Sequence, residues 1–114
     1  MLRQMFALVR SWWRWLRRRS RYTALHVVRS MDEVPAKPGA ELFLVERGGI
    51  ARWVALECPC RCGERIEVNL MESREPRWIL AKNGSRICLQ PSLWMPANRC
   101  GSHFFIKNNR VIWV

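Results

Sequence analysis

No apolar run in this 114-residue sequence approaches the roughly 18 residues of a membrane-spanning helix. A secretory leader is also missing: the segment MFALV ends after five apolar residues at Arg10, and no small-residue cleavage site follows. A reducing, cytoplasmic setting is therefore expected. There is no internal repeat, no His-Glu-x-x-His zinc-protease signature and no groove-reading nucleic-acid motif. Acidic residues are scarce, nine against 20 basic ones, and residues 1–30 contain none. Those residues carry eight arginines, whereas 31–114 carry twelve basic and nine acidic residues, so the formal charge of +11 divides as +8 and +3. The charge is thus read as a property of an N-terminal extension rather than of the domain behind it. A hydrophobic content of 49% with seven tryptophans excludes a disordered composition, and the length suits one modest core.

The extension itself has a helical period. Met5, Leu8, Val9, Trp12, Trp13 and Leu16 recur at spacings of three and four, with Arg10, Arg14, Arg17 and Arg21 opposite and Trp15 off pattern. A basic amphipathic helix over residues 1–21 is expected. It could lie on an anionic membrane surface, dock on an acidic protein partner, pack on its own domain, or bind nucleic acid through charge alone. Met31 could also begin the compact part.

From residue 22 the pattern turns to short strands. YTALHVVR is β-rich, and VPAKPG is a connector. Gly48-Gly49, Asn83-Gly84 and Asn108-Asn109 each separate two strand-like runs, which predicts three hairpins. The proline-bearing QPSLWMP makes residues 91–99 a loop. The expected fold is a small, mainly β, antiparallel domain over 22–114, a sandwich or partial barrel, clipped by a zinc site.

The zinc expectation comes from CPCRCG, residues 58–63, and CGSH, residues 100–103. Five cysteines are an odd number for a disulfide set, and a reducing compartment favours metal. Zinc takes four Cys or His ligands, and five candidates exist: Cys58, Cys60, Cys62, Cys100 and His103. An extended strand would set Cys58 and Cys62 about 13 Å apart, so joint ligation requires a sharp turn at Pro59–Arg61. Cys88, inside the strand-like RICLQ, reads as a structural core residue. If the four cysteines Cys58, Cys60, Cys62 and Cys100 fill the shell, His103 is free for chemistry; if His103 ligates, one cysteine is spare.

For chemistry, Ser92 in QPSLW and Ser102 beside His103 are the hydroxyl candidates. Neighbouring strand residues point to opposite faces, so Ser92 is the better nucleophile with His103 as base. Asp32, Glu57 and Glu72 are candidates to orient the imidazole. A zinc-activated water is a weaker alternative, and a non-catalytic zinc-stabilised interaction module is the rival reading. His26, Trp53, Trp78, Trp94 and Trp113 read as structural.

In order along residues 28–114, VPAKPGAELFLVE, ALECPCRCGERIEVNL, PRWIL, QPSLW and CGSHFFIKNNRVIWV resemble a small bacterial and phage family of domains of unknown function. Its members pair a Cys-Pro-Cys-Gly-Cys-Gly-like segment with a Pro-Ser-Ile/Leu element and a Cys-x-Ser-His-Phe strand. Arg61 stands where that family usually has glycine. Some members are encoded beside bacterial ubiquitin-like proteins and their conjugation enzymes. The resemblance therefore implies a peptidase or deconjugating hydrolase with a ubiquitin-like partner.

Overall fold

The computed structural model describes residues 17–114, which fold into eight short strands in two four-stranded sheets. The first sheet contains β1 (Ala24–Val28), β2 (Glu41–Arg47), β3 (Ile50–Glu57) and β4 (Arg65–Asn69) in that order. The second contains β5 (Ile79–Asn83), β6 (Arg86–Trp94), β7 (His103–Lys107) and β8 (Arg110–Trp113), also in chain order. All three expected hairpins form. Gly48 and Gly49 have φ of +61° and +76°, and Asn108 and Asn109 have +50° and +65°. These are the left-handed values that tight hairpin turns require.

The expectation of a wholly antiparallel domain is corrected at β1, which pairs with β2 in parallel, Ala24 beside Glu41 and Val28 beside Val45. Only a connection of about a dozen residues can join parallel neighbours, and residues 29–40 supply it. They cross the outer face of the first sheet, partly as a 3-10 helix at Met31–Glu33. Val34 and Met31 pack there against Phe43, Val45, Ala55 and Trp53. That cover explains the unbroken buried run Leu42-Phe43-Leu44-Val45 in β2: both faces of the strand are buried.

The inner faces of the two sheets meet in one core. Leu42, Leu44, Val54, Leu56 and Val68 come from the first sheet, and Ile87, Leu89, Leu93, Phe104 and Ile106 from the second. The segment linking the sheets is organised by buried Asn69, whose Nδ2 donates to the carbonyls of Met71, Arg74 and Pro76.

Most of the helix expected over 1–21 lies outside the described residues. Residues 17–21 are not helical: Arg21 bridges to Arg110 beside β8, and Val111 N–H donates to Ser20 O at 2.8 Å. Just beyond, Tyr22 is buried in the core and donates its hydroxyl to Glu57 O at 2.6 Å. Burial pushes its phenol well above the ordinary range, so it acts as a fixed donor. Starting the chain at Met31 would remove this anchor together with β1. Tyr22→Ala is expected to lower stability by about 3–5 kcal/mol and Tyr22→Phe by about 1 kcal/mol, read from urea unfolding.

Candidate active site and thiol cluster

Two turns bring the sulfurs together. Beyond β3, Cys58 N–H donates to Glu64 O at 2.8 Å, and Arg61 N–H donates to Cys58 O at 3.0 Å. The chain thereby reverses within Cys58–Glu64, the sharp turn that bringing Cys58 and Cys62 together demands. Arg61 has φ +67° and Gly63 φ +89°. A non-glycine residue in this region costs about 1–2 kcal/mol, a physical reason for glycine to suit position 61. A Cβ on Gly63 would lie 2.7 Å from Lys37 Nζ, and that ammonium donates to Gly63 O at 3.0 Å. In the second turn, Arg99 and Gly101 N–H both donate to Pro96 O, at 3.0 and 3.1 Å.

The sulfurs of Cys58, Cys60, Cys62 and Cys100 all lie within 4.8 Å of one another. Cys58 Sγ is 3.4 Å from Cys60 Sγ and 3.8 Å from Cys100 Sγ. A disulfide needs about 2.05 Å. A tetrahedral site with metal–sulfur bonds of about 2.3 Å has sulfur–sulfur edges of about 3.8 Å. The four side chains therefore fit a tetrahedral metal ion. Burial raises the thiols of Cys58 and Cys62 above their ordinary range. Burial also works to raise Cys100, but hydrogen bonds from the side chain and backbone of Ser102 outweigh it and bring that thiol down to about 7. Cys88 is outside the cluster. It is not a core residue as expected: it sits on the outer face of β6, where Asn108 N–H donates to its sulfur at 3.3 Å.

The strand leaving the second turn separates two roles. Ser102 is buried and turned toward the thiols, and His103 is on the opposite, outer face, as adjacent strand residues must be. Met95 N–H donates to Ser102 O at 2.8 Å and Val114 N–H to His103 O at 3.0 Å, so the backbone is gripped from both neighbouring segments.

Ser92 reaches His103 through a bulge. Residues 91–94, expected as part of a loop, continue β6. Leu89 pairs with Ile106 and Leu93 with Phe104, so β6 spends four residues where β7 spends two. Proline lacks the N–H a ladder needs and belongs at such an irregularity; Pro91 occupies it, after a cis Gln90–Pro91 bond. The two extra residues leave Leu89 and Leu93 on the core side, expose Pro91, and set Trp94 rather than Ser92 directly opposite His103. Trp78 Nε1–H holds Ser92 O at 3.3 Å. Ser92 Oγ then lies 2.7 Å from His103 Nε2. For the hydroxyl to donate, the imidazole carries its proton on Nδ1.

The acids considered as orienting groups do not approach His103. Glu57 Oε1 accepts from Gly39 N–H, Glu72 pairs with Arg77, and Asp32 lies in the 3-10 helix. His26 pairs with Glu41 at 3.2 Å and is not among the residues grouped with the thiols. No ion pair among the described residues involves His103. Its neighbour is instead Trp94, expected in the core but 71% exposed. The indole stacks on the imidazole with centroids 4.5 Å apart and planes 5° from parallel. The stacking fixes the plane of the imidazole on the outer face. A period-2 reading of QPSLW would have put Ser92 and Trp94 on one face.

Residues 27–114 match the family BubE, the bacterial ubiquitination-like system serine protease. The chain belongs to this family. BubE membership agrees with the ubiquitin-like setting that the sequence resemblance implied. No curated protein and no solved structure matches the chain.

Arg61→Gly is expected to stabilise the protein by about 0.5–1 kcal/mol, and Gly63→Ala to destabilise it by about 1–2 kcal/mol. Urea unfolding of both variants checks the signs.

Proposed function

We propose that this protein is a cytoplasmic serine hydrolase that cleaves the peptide or ester bond at the C-terminal tail of a bacterial ubiquitin-like protein. Ser92 is the nucleophile, His103 the general base, and Cys58, Cys60, Cys62 and Cys100 hold a structural zinc ion. The observation that carries the reading is the 2.7 Å contact between Ser92 Oγ and His103 Nε2 on an exposed sheet face. The family description, a serine protease of a ubiquitination-like system, supplies the substrate class.

As Ser92 Oγ attacks the scissile carbonyl carbon, its proton passes to His103 Nε2. The tetrahedral intermediate collapses to an ester on Ser92, and His103 returns the proton to the departing nitrogen or oxygen. Water, deprotonated by His103, then hydrolyses the ester and frees Ser92. No carboxylate steadies the imidazolium; the stacked Trp94 ring fixes the plane of the imidazole instead. Zinc with four thiolates has a closed shell, so its contribution is to hold the fold. It would fix Cys100, and through Ser102 the start of β7 where His103 stands. The contact of His103 with Ser92 and the grouping of four cysteines support reading the imidazole as the base and not as a metal ligand.

Ser92→Ala and His103→Ala are each expected to lower kcat/KM on a ubiquitin-like precursor by about a thousandfold or more while preserving the circular dichroism spectrum. Full activity in either variant would sink the hydrolytic assignment. Elemental analysis of protein purified without added zinc should find about one equivalent, and Cys60→Ser should reduce that content and lower the melting temperature. A metal-free protein whose melting is unchanged by Cys60→Ser would remove the zinc.

A further inference from the structure

The outer face of the β5–β8 sheet is unusual in two respects that the hydrolytic pair does not account for. The first is its apolarity. Of the seven large hydrophobic side chains exposed among the described residues, five (Ile79, Trp94, Phe105, Ile112 and Val114) lie on this face. Their placement is ordered along the sheet. Val114 meets His103 across β7 and β8, and Phe105 and Ile112 form the next cross-strand pair. One pair further on, Lys107 faces Arg110.

The second respect is charge. All nine acidic residues precede Pro76, and residues 76–114 carry six basic residues and no acid. The positive charge is therefore not confined to the N-terminal extension. Arg86, Lys107 and Arg110 gather at the hairpin end of the outer face, and none forms an ion pair among the described residues.

We infer that this face receives the substrate, as an extended segment laid along the sheet from the Ser92–His103 pair. The segment carries an apolar side chain about two residues from the scissile bond, over Phe105 and Ile112. Acidic side chains follow about four residues away, over Lys107 and Arg110. The spacing comes from the strand rise of about 3.3 Å per residue, which puts Lys107 about 13 Å from His103. A matching segment meets apolar and then basic groups in register. The inference rests on the assignment of Ser92 and His103 and adds to it the chemistry of the chain they act on. A basic face with an exposed tryptophan could also stack single-stranded nucleic acid. The aliphatic Ile79, Ile112 and Val114 around a hydroxyl–imidazole pair favour a polypeptide.

The test uses labelled peptides with a central Gly-Gly, bearing Leu or Ser about two residues and Asp or Lys about four residues to either side. Binding to full-length Ser92→Ala protein is followed by fluorescence anisotropy. The Leu/Asp peptide is expected to bind at least about tenfold more tightly than the Ser/Lys peptide. Phe105→Ser should weaken the Leu peptides and spare the Ser peptides. Lys107→Glu combined with Arg110→Glu should reverse the preference to Lys, a gain that misfolding could not produce. Equal binding of all four peptides overturns the inference, as does tighter binding of a single-stranded oligonucleotide than of the Leu/Asp peptide. Cleavage by the unmodified protein separates the two claims. Ranked binding without cleavage supports the surface and counts against the hydrolytic pair. Cleavage without ranking supports the pair and overturns the surface.

Discussion

The two sheets share no hydrogen-bonded strand, so their relative placement depends on the core between them, on the segment around Arg21 and Tyr22 that bonds to both, and on the meeting of Cys100 with the Cys58–Cys62 turn. That meeting ties the end of β3 in one sheet to the start of β7 in the other, across 42 residues of chain. Ser102 is buried on the inner face two residues after Cys100, and the next residue is His103 on the outer face. A displacement of the cluster would therefore be passed to the imidazole through the short segment from Cys100 to His103. Sulfurs this close, in a partly buried site where the thiols of Cys58 and Cys62 resist ionisation, are a poor arrangement without a shared cation and a good one with it.

On the outer face, the pairing of Ser92 with His103 is made by the backbone. A regular β6 would set Pro91 opposite Phe104 and Ser92 opposite His103; the two-residue bulge shifts the register so that Leu93 faces Phe104 and Trp94 faces His103, with Ser92 Oγ still within 2.7 Å of the ring. Bulges recur beside active sites because they re-aim a side chain without moving the strand. The scheme also manages without a carboxylate near His103. A buried aspartate on this sheet would carry its own desolvation cost, whereas the Trp94 ring needs none of that compensation.

The sequence carried the parts of this arrangement that depend on local chemistry. Gly48-Gly49 and Asn108-Asn109 mark turns because few residues tolerate positive φ. Asn83-Gly84 marks its hairpin one residue early, since Asn83 ends β5 and Gly84-Ser85 make the turn. The thiol spacing marks a cluster because a sharp turn can gather it. What escaped were features set by distant chain. Nothing within YTALHVVR says that its partner lies beyond a twelve-residue crossover, so the parallel pairing of β1 is invisible in a sequence whose hairpin signals all point to antiparallel strands. Pro91 looked like the end of a strand because the continuing β7 that supports residues 91–94 is ten residues away. Cys88 and Trp94 read as core because their alternation is clear but the side that faces the core is decided only when the sheets meet. The acid-free stretch 76–114 was present in the composition, and acquired meaning once those residues formed a single sheet.

The short segment around Arg21 has a bearing on solubility. β8 is the last strand of its sheet, and an uncovered edge offers unpaired amides and carbonyls to a second copy. Ser20 and Arg21 occupy part of that edge, and Arg18 places its guanidinium 4.2 Å from the Trp113 ring centroid. The chain thus blocks strand addition on β8 with its own backbone and a layer of positive charge. Residues that precede the family match cover one of the two edges of this tryptophan-bearing sheet, and β5 forms the other.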